Sequence, residues 1–292
     1  MKKLIILLGV LGASFSAIFV RLSDAPSLVL VFYRMLFAAA VLLPFCLIKH
    51  RAELKEMTKK ELLLSALSGV FLGLHFACYF SSLRYTSIAA SVVLVDTEVF
   101  FVAIIGLLLW KKKISKFGWL GIGGAFLGSV LIAVSDAGGG SNVLLGDGLA
   151  LLGAVFVAVY TLIGTFVRRT RSTTVYTTVV YWAGALTVLL VLLLTGTSPV
   201  GYAPVDYAAA LGLAVFCTLM GHSIFSWGLH YESPAFVSMA KLLEPVFATV
   251  MGIFLFREIP GGLVILGGII VILGVAFYCL KGDSGVENKD EK

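Results

Sequence analysis

Ten apolar stretches, each long enough to cross a lipid bilayer and joined by short connections, leave this chain little choice of fold. They fall at 4–20, 28–48, 62–83, 87–110, 117–134, 147–167, 174–194, 207–229, 233–256 and 262–280. A spanning helix needs roughly 20 apolar residues, so ten of them take up nearly all of the 292 residues and leave no room for a soluble domain. In hydrocarbon every backbone N–H and C=O has to be satisfied within its own segment, which a helix of this length achieves. The expected fold class is therefore an all-α membrane protein with ten transmembrane helices. The composition agrees, because 60% hydrophobic against 13% charged residues lies far from a soluble domain. The first stretch, Leu4 to Val20, follows Lys2 and Lys3 as in a signal peptide; with no small-residue cleavage site ahead of a soluble region, it reads as the first span.

Basic residues orient the spans. With the N-terminus inside, 17 Lys and Arg residues fall on cytoplasmic segments and 3, Arg21, Arg84 and Arg257, fall outside. Arg34 and Lys241 lie within spans and complete the 22. Both termini are thus expected in the cytoplasm, in a multi-pass protein of the cell membrane. The net charge of +6 is then topological. Because these cations cap helices instead of interleaving with aromatics on one face, membrane lipid is an expected partner and nucleic acid is not. Cys46, Cys78, Cys217 and Cys279 sit in apolar runs without the spacing of a zinc site or a disulfide framework, so no metal is expected. No phosphate-binding loop or nucleophile elbow occurs either, so no cofactor is expected and any driving energy has to come from ion or metabolite gradients. No oligomer is required.

Shifting the chain by 146 residues lays the fourth span on the ninth and the fifth on the tenth without a gap. Tyr85 then matches Tyr231, Glu98 matches Glu244, Phe101 matches Phe247, Gly121 matches Gly267 and Gly128 matches Gly274. The expected organisation is a five-helix repeat over 1–135, an extracytoplasmic linker over 136–146, a second five-helix repeat over 147–281 and a disordered cytoplasmic tail over 282–292. Five is odd, so the second repeat must be inverted. Inverted repeats are a device by which secondary transporters expose one central site alternately to each side.

Seven ionisable residues fall inside spans: Arg34, His75, Asp96, Glu98, His222, Lys241 and Glu244. A charge near the bilayer centre costs at least about 2.5–3.5 kcal/mol, so such groups are candidates for substrate binding or coupling. Glu98 and Glu244 stand near the midpoints of equivalent spans and are expected to flank a central cavity. Asp96 and Glu98 are about 200° apart around a helix, so one faces the cavity and the other a neighbouring helix. Lys241 and Glu244, three apart, suit an ion pair. Arg34 is expected to pair with Asp96. His75 shares a stripe with Tyr79 and Ser82, and His222 stands one turn from Ser226; each is either a hydrogen-bonded packing residue or a proton carrier. Tyr160 and Trp182 are candidate pocket aromatics. Pro245, lacking a backbone donor, is the expected hinge of the ninth span. Gly121, Gly124 and Gly128, with Gly267, Gly268 and Gly274, offer small faces for packing, including a GxxxG pair at Gly124 and Gly128.

The run from Ser238 through Lys241-Leu-Leu-Glu-Pro245 to Pro260, followed by glycine-rich Leu266–Gly274, resembles the signature of the EamA family of the drug/metabolite transporter superfamily. Phe32-Tyr-Arg-Met-Leu-Phe-Ala-Ala-Ala40 resembles that family's arginine-bearing second helix. Val95-Asp-Thr-Glu-Val99 departs from it, since a proline or glutamine is frequent there. The resemblance implies ten spans in two halves and an exporter or exchanger of small organic metabolites, often amino acids. It fits a secondary transporter of small polar or amphiphilic molecules working by alternating access, with buried acids offering a route to proton coupling. A lipid flippase and an intramembrane enzyme using His75, Asp96 and Glu98 are the alternatives; the repeat favours transport, so no enzymatic activity is expected.

Overall fold

The computed structural model describes residues 1–86, 88–110, 114–134, 141–257 and 259–281. Among them are ten helices long and apolar enough to span a membrane: Lys2–Arg21, Ser27–Lys49, Lys59–Ser82, Ser91–Leu109, Lys116–Val134, Val143–Val167, Thr173–Leu194, Pro204–Gly228, Pro234–Leu255 and Gly262–Lys281. Side-chain caps begin several of them. Thr58 accepts from the Glu61 N–H while Glu61 accepts from the Thr58 N–H, a reciprocal box that starts the third span. Asn142, Ser172 and Ser233 cap the sixth, seventh and ninth in the simpler one-way manner. Leu108, Leu127, Leu190 and Phe254 point outward, where lipid is the solvent.

Contacts between connections sort them into two ends, as alternating spans require. At one end Lys2 lies over the Tyr231 ring, His230 donates to the Arg168 carbonyl, Arg171 pairs with Glu61, and Ser115 donates to the Lys281 carbonyl. At the other, Asp206 accepts from Ser23 and Asp24, and the Asn142 N–H donates to Tyr85. The core does not divide at the middle of the chain. One buried cluster joins Met35, Leu72 and Phe76 to Tyr160, Tyr176 and Tyr181; another joins Ile6, Val10 and Ile122 to Phe236, Met239 and Val271.

Several helices are interrupted, whereas the sequence marked a bend in the ninth span alone. The first span is interrupted at Phe15, between Lys2–Ser14 and Ser16–Arg21. The fourth divides into Ile88–Asp96 and Glu98–Trp110, the ninth into Pro234–Lys241 and Glu244–Phe256. The eighth carries a π-helical stretch, Leu213–His222, between α-helical Pro204–Gly212 and Ser223–Gly228. The sixth starts at Val143, inside the expected linker, because Asn142 caps it and Gly146 packs against Thr86. Residues 136–140 of that linker and the tail 282–292 lie outside the described residues.

The fifth and tenth spans pack antiparallel through glycine. A methyl group built on Gly128 would lie 2.6 Å from the Gly267 carbonyl oxygen, and one on Gly267 2.6 Å from that of Gly128. Gly121 and Gly274 oppose each other in the same reciprocal way, at 3.0 and 2.9 Å. Gly124 meets nothing nearer than 3.9 Å, so the expected GxxxG pair is replaced by glycines seven apart. Gly268 is equally open, at 3.9 Å from Val246. Seven residues bring a helix back to nearly the same azimuth, and that is the face these two helices share.

Candidate functional site

Two helix breaks build the centre of the molecule. At the first, Thr97 interrupts the fourth span, its N–H turning back to Leu94. At the second, Leu242 and Leu243 donate to Met239 and Ala240 at 3.1 Å each, a tightened three-residue turn. The downstream helices then start at Glu98 and Glu244, 146 residues apart in the sequence. An acid suits the positive N-terminal end of a helix, and Lys241, in the last turn of its segment, suits the negative C-terminal end.

Lys241 Nζ donates to Glu98 Oε1 at 2.9 Å, with side chains only 11% and 7% exposed. This corrects the expected pairing of Lys241 with Glu244: the break falls between them, so three residues no longer mean one helical face. Glu244 makes no hydrogen bond or ion pair with any described residue. Asp96 accepts from Ser129 of the fifth span at 2.6 Å and does not pair with Arg34. Arg34 is buried, donates from Nε to Thr218 Oγ1 at 3.0 Å and lies 4.3 Å from the Phe76 ring centre. Pro245 stands just after the break in the ninth span. It occupies the first turn of its helix, where a missing N–H costs no bond, and the fourth span breaks at the matching place with Val99 in the equivalent position. A proline is therefore not required for a break at this place.

The remaining candidates surround these charges unevenly. His75 Nδ1 donates to the Gly153 carbonyl at 3.0 Å, and its ring stacks on Tyr79 at 6.2 Å. His222 lies edge-on to Phe76 and Phe225, at 5.3 and 5.8 Å, with Nδ1 buried and unpartnered. Lys241 Nζ lies over the Phe225 ring of this aromatic group, 5.5 Å from its centre. Tyr160 is 6.3 Å from the His222 ring and bonds Ser226 at 3.0 Å. Arg34, Phe76, His222, Phe225, Lys241 and Glu98 thus form a continuous path of contacts, whereas Asp96 is tied to the fifth span and Trp182 packs into the core with Nε1 unpartnered.

Thr218, Ser129, Phe76 and Phe225 were not singled out from the sequence. A phenylalanine is unremarked in a chain with 21 of them, and the importance of Thr218 depends on the π-helical stretch. There Thr218 Oγ1 reaches back five residues to Leu213 at 3.2 Å, and His222, four residues on, shares a helix face with Thr218. One cavity, of about 390 Å³, opens at the end of the bundle among Arg168, Arg171, Ser172 and His230, away from Glu98 and Glu244. The connection that lines it is clamped by Arg171, which binds both carboxylate oxygens of Glu61 at 2.9 and 2.8 Å.

Ten spanning helices with paired charges at two mid-span breaks define a multi-pass membrane protein of transporter architecture. The chain belongs to the EamA-like transporter family, matched over residues 2–134 and 144–280, each stretch holding five of the spans. An uncharacterized transporter of Archaeoglobus fulgidus is 28% identical over 275 residues, covering 92% of this chain and 93% of that one. The pseudopaline exporter CntI of Pseudomonas aeruginosa is 23% identical over 248 residues, covering 85% and 84%. A solved crystal structure shares the fold with a TM-score of 0.81 at 17% identity, over 96% of this chain and 97% of the other. The relatives are named as transporters and not as enzymes.

Proposed function

We propose that this chain is a secondary transporter that exports or exchanges small polar or amphiphilic organic metabolites, amino acids among them, by alternating access. The observation that carries the reading is the ion pair between Lys241 and Glu98, made across two helix breaks at equivalent positions of the two halves. Broken helices at mid-membrane free backbone groups and gather charge where a cargo crosses. The reciprocal contacts of Gly121 with Gly274 and Gly128 with Gly267 support inverted five-span halves, since a two-fold axis would exchange one contact with the other. The 17-to-3 bias of basic residues supports cytoplasmic termini. The kinship with a named exporter supports outward movement, and the unpaired Glu244 supplies a carboxyl that can take up and release a proton during the cycle.

The test is counterflow in proteoliposomes loaded with a panel of unlabelled metabolites, read with their labelled forms. At least one solute should exchange in the wild type and fail to exchange in Glu98→Gln, and Glu244→Gln should flatten the pH dependence of uptake. Flux through Glu98→Gln at the wild-type rate would remove the central pair from the mechanism.

A further inference from the structure

Arg34 is a buried cation that pairs with no anion among the described residues. Its exposure is 3%, its Nε is committed to the neutral hydroxyl of Thr218, and its guanidinium rests on the Phe76 ring. Glu98 is taken by Lys241 and Asp96 by Ser129. Glu244 makes no hydrogen bond or ion pair with Arg34. Charges inside a membrane protein are ordinarily paired, and a guanidinium whose Nε alone is bonded keeps its terminal nitrogens for a planar oxyanion. A second, independent feature adjoins it. His222 packs on the same Phe76 ring, is 9% exposed, and holds Nδ1 buried with no partner. It sits four residues from Thr218 in the same helical stretch, about one turn away, so the anchor of Arg34 and an unused ring nitrogen share one face of the eighth span.

We propose that Arg34 and His222 form the subsite for a carboxylate carried by the cargo, with the Arg34 terminal nitrogens gripping its two oxygens and His222 donating from Nδ1. This rests on the transporter reading and narrows it to substrates with a carboxylate group. Phe76 supplies an apolar floor, and Thr218 holds the guanidinium in register. A carboxamide of the same shape has no charge to neutralise Arg34 and is rejected.

The probes are matched pairs, acetate with acetamide and phenylacetate with phenylacetamide, added to the purified full-length chain while its thermal stability is followed. A ligand that binds the folded state raises that stability. We expect at least one carboxylate to stabilise the wild type and its amide not to. Arg34→Lys, which keeps the charge but loses the fork, should weaken that carboxylate by about tenfold or more, and Thr218→Val by less. Should Arg34→Lys fail to fold, modification of Arg34 by phenylglyoxal in the wild type, read by mass spectrometry, should be slowed by the carboxylate and not by the amide. Equal stabilisation by acid and amide, no stabilisation by either carboxylate, or undiminished binding in Arg34→Lys overturns the subsite. Counterflow separates this from the broader reading. A carboxylate that binds through Arg34 but never crosses the liposome membrane leaves the subsite standing and sinks transport. A neutral solute that crosses equally well in Arg34→Lys does the reverse.

Discussion

The two central helix pairs meet the same problem, close approach inside a bilayer, with opposite means. The fifth and tenth spans are continuous and touch through backbone at Gly121, Gly128, Gly267 and Gly274. The fourth and ninth are each broken at mid-height and touch through a buried ion pair. Glycine contacts gain from van der Waals packing and need no polar partner, so that pair has one good arrangement. A buried ion pair costs desolvation and is held by geometry, so moving either helix segment puts both charges at stake. The first pair suits a fixed spine and the second a part that changes.

The largest effect should come from removing one member of the ion pair. Glu98→Gln leaves Lys241 buried without its partner and is expected to cost about 3–5 kcal/mol. The double variant Glu98→Gln with Lys241→Met should regain most of that stability and none of the transport, as read by thermal unfolding and proteoliposome uptake. Singles and double of equal stability would mean the pair is not coupled, and the contrast between the helix pairs would fail.

Overpacking the spine comes next. Gly128→Leu drives a side chain into the Gly267 backbone and should cost about 1–3 kcal/mol. Gly124→Ala, whose new methyl group would meet Gly274 Cα at an ordinary 3.9 Å, should stay within about 0.5 kcal/mol. Reversed sensitivities would return the interface to the GxxxG register.

Pro245→Val gives the ninth span the residue that the fourth carries as Val99. Because proline sits in a first turn, stability should change by no more than about 1 kcal/mol. If Pro245 guides the bending at Leu242 and Leu243, turnover slows while affinity holds, both measured on one liposome preparation. Weakened affinity with unchanged turnover would assign Pro245 to the pocket.

The smallest effect belongs to neither pair. Burial pushes the Glu53 carboxyl up, but hydrogen bonds from Ser172 and His50 hold it below its ordinary value. A depressed carboxyl stabilises the fold above its unfolded pKa, about 4.3, and loses that contribution as pH falls through the folded value. Glu53→Gln should therefore be slightly less stable than wild type at neutral pH, with the gap closing below about pH 4. A gap that persists in acid would point to packing instead of charge.

What the sequence determined by itself is whatever lipid and local chain chemistry dictate. The number of spans follows because hydrocarbon leaves a backbone no partner but its own helix, and the observed helices keep to the expected stretches within a few residues at most ends. The pairing of Glu98 with Glu244, and of Gly121 and Gly128 with Gly267 and Gly274, is likewise readable as an offset of 146 residues. Partners were another matter. Lys241 finds Glu98 across 143 residues and Arg34 finds Thr218 across 184, and no local period encodes which side chain of another helix will stand opposite. The break at Thr97 was hidden for the same reason, since apolar runs look alike whether straight or interrupted; Pro245 marked a bend in the ninth span, but not that one broken turn at Leu242–Leu243 would move Glu244 away from Lys241. The packing of helices against one another decides which side chains meet across the breaks, because those partners stand on other helices far away in the sequence.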